Sequence, residues 1–341
     1  WQYTGDVSPW APLSADPELG LVYVVTNPPT IDYYGGFSPG DGLFGTSMIA
    51  IDVATGERKW HFQLVHHDVW NYDIPTAPIL LDVEHNGRTV KAVAQATKQT
   101  LLFAFNRETG EPLWPIEERP VPQSIVPGEK LSATQPFPTK PVAYDLTGLS
   151  EDDLIDFTPE LRQQAIDTLA DWQIGPLYLP PLHRDNPLGK RGAYWCPGDG
   201  GGSNITGPPA ADPETGIMYV TSVSACSTNT LVPGDEADLR YMTDSGTTTT
   251  GATTARYANG VGGGSPRAPS GLPLWKPPYS RITAIDKMTG RELARIPVSK
   301  QSRYGMMSYV HKGEQYIMLQ TGSTLTAMSL HGPVASGAGG H

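Results

Sequence analysis

Residues 49–60 combine a short apolar strand, a turn and an indole: Ile49-Ala50-Ile51-Asp52 is followed by Thr55-Gly56 and then by Trp60. Apolar and polar residues alternate with a period of two before the turn, which is typical of a half-buried strand. An Asp followed by Thr-Gly favours a tight turn, because the carboxylate accepts backbone hydrogen bonds and glycine tolerates a positive φ. The pattern therefore predicts strand, turn and strand, with the Trp60 ring packed between neighbouring units.

The same pattern occurs twice more along the chain. The second and third copies read Ala104-Phe105-Asn106, Thr109-Gly110 and Trp114, then Ala284-Ile285-Asp286, Thr289-Gly290 and Ala294 in place of the tryptophan. Turns at Ser14–Gly20 and Ala211–Gly216 each lead into a further apolar strand. Repeated four-stranded units of this kind are typical of a β-propeller. A sandwich or barrel with chance similarity is the alternative.

The repeats predict an all-β chain with about four to five propeller blades. We place the units at 10–62, 74–118, 203–297 and 305–330, within one partial propeller spanning 1–332, with insertions at 119–200 and 244–270 and a flexible tail at 333–341. The first insertion contains a short helical part. Ser150 is an N-cap type before Glu151, and Pro159 occupies the first position of a second helix with one apolar face.

The composition agrees with a turn-rich β protein. The 341 residues include 37 Gly and 33 Pro, and only 17% are charged, against about 25% in typical domains. This composition excludes a long helical bundle, and the net charge of −11 argues against nucleic acid as a partner. No apolar run approaches the ~18 residues of a membrane span. Cys196 and Cys226 form either one disulfide or two separate thiols.

Polar and aromatic side chains are densest in the run His66-His67-Asp68-Val69-Trp70-Asn71-Tyr72-Asp73. Two adjacent histidines suggest a metal site, but neighbouring residues on a strand point to opposite faces and do not easily bind one ion. A hydrogen-bonded corner that ties strands together is the other interpretation of the His and Asp residues.

This run, extended back to Val65, resembles the signature of quinoprotein dehydrogenases that use pyrroloquinoline quinone (PQQ), closest to their membrane glucose dehydrogenase-like branch. Further matching segments are Trp10-Ala11-Pro12-Leu13-Ser14, Asn27-Pro28-Pro29, Tyr33-Tyr34-Gly35-Gly36, Leu154–Leu161, Gly201-Gly202-Ser203-Asn204 and Trp275-Lys276-Pro277-Pro278-Tyr279. The resemblance implies an eight-bladed propeller with the quinone near its axis, held against a calcium ion. The Thr-Gly-x-x-x-Trp repeat resembles the family's blade-docking motif.

The resemblance also implies roles for individual residues. Trp10 matches the indole that forms the floor under the quinone, and a flat aromatic suits a planar ring system. Asn27 matches a calcium ligand, for which an amide oxygen is suitable. Lys98, 27 residues after Asn71, matches the basic residue that polarises the quinone carbonyls. Asn204 matches a side chain that hydrogen-bonds the quinone edge.

The sequence departs from the family at the catalytic base. The family carries an acid where this chain has Asn71, and an amide cannot accept the substrate's hydroxyl proton. Either Asp73 or Asp68 does that work, or the chain is inactive. In an extended segment Asp73 shares the face of Asn71, which favours Asp73 slightly. No segment matches the family's early calcium and quinone-carboxylate ligands, so we expect a partial or rearranged propeller that begins before Trp1 in the native protein.

The resemblance implies an enzyme that oxidises a sugar or alcohol hydroxyl by hydride transfer to PQQ. Its catalytic residues would be Lys98, Asp73 or Asp68 as the base, and Asn71 at the family's base position. Electrons would pass to a membrane quinone or a cytochrome, in the periplasm. Membrane association would depend on segments that this sequence lacks. The alternatives are a non-catalytic envelope scaffold and a truncated quinoprotein that cannot hold PQQ. Trp10, Asn27 and Lys98 favour the enzyme, because a scaffold needs none of them.

Overall fold

The computed structural model describes residues 7–29, 32–36, 38–204, 209–212, 214–233, 257–259, 266–298, 302–321 and 323–329. Strands dominate the described residues, which include one α-helix and one short 3₁₀ helix. The tail at 333–341 and most of the 244–270 segment lie outside the described residues.

The first sheet contains four antiparallel strands in sequence order. They are β1 (Ser14–Asp16), β2 (Leu21–Val25), β3 (Ser47–Asp52) and β4 (Arg58–Gln63). The predicted turn joins β3 to β4: the Asp52 carboxylate accepts the backbone N–H groups of Ala54 and Thr55 at 3.0 Å each. Gly56 follows with φ of 73°, a conformation that glycine adopts without a steric penalty. The strand–turn–strand prediction is confirmed.

The second sheet is β5 (Ile79–His85), β6 (Arg88–Ala96) and β7 (Leu102–Asn106), all antiparallel. A hairpin follows, formed by β8 (Ile116–Pro120) and β9 (Thr134–Pro138). Asn106 caps the second Thr-Gly turn as Asp52 caps the first, because its side-chain oxygen accepts the N–H groups of Glu108 and Thr109.

Two further sheets follow the insertion. The third sheet orders β13 (Ala210–Ala211), β14 (Ile217–Val223), β17 (Ser280–Asp286) and β18 (Glu292–Pro297), and the third Thr-Gly turn joins its last two strands. The fourth sheet is β19 (Ser302–His311), β20 (Glu314–Thr321) and β21 (Thr324–Ser329).

A fifth sheet, which we call the inserted sheet, combines strands from two parts of the chain. It orders β10 (Trp172–Gln173), β12 (Gly192–Trp195), β15 (Ser227–Pro233) and β11 (Leu182–His183), and β16 (Tyr257–Asn259) also pairs with β15. The segments we placed in the insertion 119–200 and in the unit 203–297 thus share one sheet. The 3₁₀ helix Glu151–Asp153 and helix α1 (Pro159–Leu169) occupy the predicted places, with the Thr158 hydroxyl accepting the Leu161 N–H.

Tryptophans dock neighbouring sheets as predicted. Trp60 Nε1 donates to the Arg107 carbonyl at 3.1 Å, and its ring covers Gly110 in the next Thr-Gly turn, where a Cβ would come within 2.7 Å. Trp114 covers Gly290 in the third turn in the same manner. Each indole therefore packs against the glycine of the following repeat. The largest core cluster of the described residues includes Trp60, Phe103 and Phe105.

Cys196 and Cys226 form a disulfide with a Cα–Cα distance of 4.4 Å, which decides between the two alternatives left by the sequence. The bridge follows the antiparallel pairing of Trp195 with Ser227 in the inserted sheet. It lies in a core cluster with Ala165 and Leu169 of helix α1. The disulfide therefore crosslinks the end of β12 to the start of β15 within the inserted sheet and packs against helix α1.

Candidate functional site around Lys98

The signature segment, residues 65–73, leaves β4 and folds around the Asp68 carboxylate. Asp68 accepts hydrogen bonds from the Thr46 hydroxyl at 2.9 Å, the Trp70 N–H at 2.9 Å and the Tyr72 N–H at 3.2 Å. Burial raises the pKa of Asp68 to about 6, although these hydrogen bonds favour its ionised form. Because Asp68 gathers the backbone of its own segment, the segment is a turn.

The expectation of an extended segment is therefore wrong. His67 and Asn71 have positive φ angles of 46° and 57°, so side chains do not alternate between two faces as they do on a strand. The slight preference for Asp73 over Asp68 that rested on this alternation has to be argued from contacts instead.

The two signature aromatics anchor the segment in the core. Trp70 and Tyr72 are fully buried, and Trp70 Nε1 donates to the Leu179 carbonyl at 2.8 Å. The Tyr72 hydroxyl donates to the Pro197 carbonyl at 2.9 Å. These bonds connect the segment after β4 to the loops before β11 and after β12, so the segment serves as a structural corner as well as a site wall.

The two histidines have different partners, which argues against a shared metal ion. His66 contacts Gln63 and Glu118 near the surface. His67 is buried, with Nδ1 2.6 Å from the Gly40 carbonyl and Nε2 2.8 Å from the Glu129 carboxylate. Within the described ranges no group of three or more His, Cys, Asp or Glu residues is arranged to hold a metal.

Lys98 occupies the turn between β6 and β7 and points at the signature segment. Its Nζ donates to the Asn71 carbonyl at 2.7 Å and lies 3.5 Å from Asp73 Oδ2. The Lys98 and Asp73 side chains are 4% and 17% exposed. Lys98 and Asn71 are therefore in contact, but through the Asn71 backbone, which any residue could supply. The role of Lys98 at the quinone stays a prediction.

A loop after the disulfide closes one side of the Lys98 turn. Gly202 packs so tightly that a Cβ there would lie 1.9 Å from the Lys98 carbonyl oxygen, and Ser203 donates its N–H to Thr97. Asn204 Nδ2 donates to the Asp199 carbonyl. Asn204 is therefore in the site region, held through Asp199.

Tyr33 connects this loop to Asn71. Its hydroxyl donates to Asp199 Oδ1 at 2.9 Å and accepts from Asn71 Nδ2 at 3.5 Å. Burial raises the pKa of Asp199, and burial likewise raises the pKa of Tyr33. The Asn71 amide thus serves as a donor to a tyrosine instead of acting on a proton itself.

Asn27 is connected to the signature segment through Thr46, by two hydrogen bonds. Its carbonyl accepts the Thr46 N–H at 3.2 Å, and the Thr46 hydroxyl binds Asp68. Asn27 Oδ1 is buried and has no hydrogen-bond partner among the described residues. A buried oxygen without a donor is costly, so this atom is suited to an external partner.

Comparison with known proteins identifies the family. Residues 1–289 match the model for "PQQ: Glucose/ethanol/alcohol dehydrogenase, beta-propeller domain". The chain belongs to the PQQ-dependent dehydrogenases. Its fold is that family's β-propeller, which confirms the all-β propeller prediction.

Several curated relatives cover most of this chain. It is 32% identical over 306 residues to the glycerol dehydrogenase large subunit of Gluconobacter oxydans (strain 621H), covering 85% of this chain and 40% of that protein. It is 30% identical over 292 residues to quinoprotein glucose dehydrogenase A of Acinetobacter calcoaceticus, covering 82% and 35%. This chain thus spans about 40% or less of these two relatives' length.

A solved structure is similar at lower identity. The quinohemoprotein alcohol dehydrogenase ADHIIG of Pseudomonas putida HK5 aligns with a TM-score of 0.48 and 19% identity, covering 94% of this chain and 45% of that one. No helix in the described part of the chain is both long and apolar enough to span a membrane.

The residues of this chain fit a PQQ site in two respects. Trp10 leaves 46% of its surface exposed, so a face of the indole is available for stacking. The unpartnered Oδ1 of Asn27 fits a hard cation such as calcium, which takes oxygen ligands. Asn27 supplies one such ligand, and further ligands have to come from elsewhere.

Three residues of the site were missed from the sequence: Asp32, Tyr33 and Asp199. Tyr33 stood in a matched motif, but nothing in the motif assigned it a role. Asp199 lies among the glycines at 198–202, where an acid reads as an ordinary turn residue. Asp32 follows Asn27-Pro28-Pro29 after two further residues, and its significance depends on charges that are distant in sequence.

Proposed function

We propose that this quinoprotein chain takes part in oxidising a sugar or alcohol hydroxyl with PQQ as the hydride acceptor. The observation that carries this proposal is the buried Lys98 ammonium, held by the Asn71 carbonyl at 2.7 Å and paired with Asp73 at 3.5 Å, inside a domain of the PQQ family. A fixed cation in a dry site stabilises negative charge where it develops.

PQQ and calcium would be held by residues from separate elements. Trp10 offers an exposed ring for the quinone plane, Lys98 a charge for its carbonyls, Asn204 an amide for its edge, and Asn27 an oxygen for the ion. When bound, PQQ would supply the acceptor for a hydride, which carries two electrons. The protein contributes orientation and electrostatics, and Gly202 keeps the loop of Asn204 close to the Lys98 turn.

The hydroxyl proton has to pass to a carboxylate near Lys98. Asp68 is poorly suited to this, because both of its oxygens accept hydrogen bonds that hold the signature segment. Asp73 is the better candidate of the two signature acids, since its pairing with Lys98 places it at the reacting end of the site. Asn71 would position Tyr33 and Lys98.

The wider biochemistry is proposed by analogy with the relatives. Glycerol and glucose dehydrogenases stand among them by name, which supports a polyol or sugar substrate. We propose a quinone or cytochrome as electron acceptor, a periplasmic location, and membrane association through segments outside this sequence. The net charge of −11 supports the absence of a nucleic-acid partner.

Calorimetric titration of the chain with PQQ, with and without calcium, tests the proposal. We expect calcium-dependent binding that Lys98→Ala weakens by about tenfold or more, or about 1.4 kcal/mol. Lys59→Ala is the matched control, because Lys59 is a 43%-exposed partner of Asp52 in a sheet turn. Absence of binding by the folded chain would instead support the scaffold or truncated-quinoprotein alternatives.

A further inference from the structure

We propose that Asp32, on the loop between β2 and β3, accepts the substrate's hydroxyl proton and so replaces the carboxylate that is missing at Asn71. The inference rests on the proposed function and refines it. The proposed function considers Asp68 and Asp73 as proton acceptors, and the inference assigns this role to a residue outside the signature segment. Three observations support it: the loop is held inside the site, no described residue donates a hydrogen bond to the Asp32 carboxylate, and charged groups surround that carboxylate.

The loop that carries Asp32 is fixed inside the site. Tyr33, the next residue, is bound at its hydroxyl by both Asp199 and Asn71. Asn71 in turn holds Lys98 through its carbonyl. Asp32 is thus one residue away from a side chain that contacts the position of the missing base.

A second anchor holds the loop three residues further on. The Gly35 N–H donates to Glu129 Oε2 at 2.6 Å, and Glu129 Oε1 lies 2.8 Å from His67 Nε2. A Cβ on Gly35 would come within 2.4 Å of the His67 ring, so the backbone lies directly against the imidazole. The two anchors together restrict where Asp32 can point.

Among the described residues, Asp32 accepts no hydrogen bond, whereas the other acids of this region have partners. Asp68 is saturated by its own segment, Asp199 accepts the Tyr33 hydroxyl, and Asp73 pairs with Lys98. No donor or cation in the described part of the chain hydrogen-bonds the Asp32 carboxylate. A general base needs an oxygen that is not occupied by another donor, and this oxygen must lie within reach of the proton that it abstracts. Asp32 meets the first condition.

The surrounding charges match Asp32 to proton transfer at neutral pH. Burial, followed by the negative charges of Asp73, Asp68 and Asp199, raises the pKa of Asp32 to about 7, and Lys98 lowers it. Two acids in unequal environments divide the roles between them. Asp73 stays paired with the ammonium, whereas Asp32 can take up and release a proton.

The step balances with PQQ as the named oxidant. The O–H bond of the substrate breaks and its proton goes to an Asp32 carboxylate oxygen. The hydrogen on the adjacent carbon leaves with both electrons of its C–H bond to the quinone, and the carbon–oxygen bond becomes a carbonyl. Release of the proton from Asp32 to solvent restores the base.

Carboxyl titration in the cofactor-free chain tests the inference without any turnover. Carbon-13 NMR of aspartate carboxyls should show one group that titrates near pH 7 and is missing from Asp32→Asn. Asp73→Asn should shift that titration to lower pH, because it removes a negative neighbour. An unshifted titration in Asp73→Asn, or no group near pH 7 that disappears in Asp32→Asn, would overturn the inference.

Turnover with PQQ and calcium gives the second arm. Asp32→Asn should keep quinone binding by calorimetry but lower kcat by about 10²–10⁴-fold, and Asp73→Asn should move the acid limb of the pH profile downward. Asp152→Asn is the control, an exposed acid on the 3₁₀ helix. If the wild type binds PQQ and Asp32→Asn keeps its kcat and pH profile, the inference alone is wrong. If the wild type does not bind PQQ, the proposed function is wrong.

Discussion

At the scale of single residues, His67 and Glu129 form the most deeply buried ion pair of the site region, with side chains only 4% and 3% exposed. The Gly40 carbonyl can only accept, so His67 Nδ1 carries a proton and donates it. Nε2 faces the Glu129 carboxylate, so a proton on this nitrogen gives the ring a second donor and an acidic partner. Burial alone would lower the pKa of His67, but the bonds to Glu129 and Gly40 outweigh it and raise the pKa.

This raised pKa predicts a pH-dependent stability. The stabilising contribution of His67 is fully present below the unfolded-state value of 6.5 and is lost as pH rises through the higher folded-state pKa. Urea unfolding of the wild type should therefore show a falling free energy of unfolding above pH 6.5. Glu129→Gln should flatten this slope and cost about 3–5 kcal/mol at low pH, because it leaves a buried charge unpaired.

Glu118→Gln provides the comparison for that experiment. Glu118 pairs with the other histidine, His66, but is 49% exposed, so its loss should change stability by less than about 1 kcal/mol. A Glu129→Gln variant whose stability fell with pH as steeply as that of the wild type would show that His67 is not the titrating group.

Site residues could be proposed from the sequence only where a family motif or spacing marked them. Lys98 was proposed because its spacing from Asn71 matches the family, and the structure places the two residues in contact. Asp32 and Asp199 were not found, because their importance arises from a tyrosine between them and from charges on other loops. The burial of a side chain and the electrostatic field around it depend on residues that only the folded chain brings together, so the sequence pattern does not show them.

At the scale of elements, the Thr-Gly turns do two different jobs that the sequence cannot distinguish. Gly56 and Gly110 both have positive φ, 73° and 77°. A Cβ on Gly56 would meet open space, whereas one on Gly110 would lie 2.7 Å from the Trp60 ring. The first glycine therefore serves only its turn, and the second also serves the docking of two sheets.

This difference predicts unequal costs for the same substitution. Gly56→Ala should lower the free energy of unfolding by about 1 kcal/mol, the usual cost of a left-handed alanine. Gly110→Ala should cost about 1–3 kcal/mol more, since the methyl group must displace a packed indole. Chemical denaturation of both variants measures the difference. Equal losses would mean that Trp60 moves aside freely and that the indole adds little to docking.

The shortest strands could not be predicted from the sequence pattern. The repeats predicted β3, β4, β7 and β17 because alternation and the Thr-Gly turn occur together there. Strands β10 and β11 contain two residues each and pair in parallel with β12 and β15. Two residues carry no period, so these pairings become visible only when their partners are in place.

At the scale of the whole molecule, the propeller units are linked by the region 119–200, which the sequence analysis placed as an insertion between them. The inserted sheet takes strands from both sides of the third sheet's first strands, and it receives the signature aromatics through the Leu179 and Pro197 carbonyls. The Pro-rich region at 119–200 is thus part of the frame that holds Lys98. Pattern reading assigned it to an insertion because it lacks the repeat.

The disulfide gives the last prediction, because it crosslinks the ends of β12 and β15 next to the loop of Asp199 and Asn204. Cys196 and Cys226 are 30 residues apart, and closing a loop of that length in the unfolded chain stabilises the fold by about 3–4 kcal/mol. Replacing both with alanine should lower the free energy of unfolding by that amount. Urea unfolding with and without a reductant measures it: the reductant should destabilise the wild type and leave the double variant unchanged. A wild type that is indifferent to reductant, or that shows two free thiols when unfolded without it, would contradict the bridge.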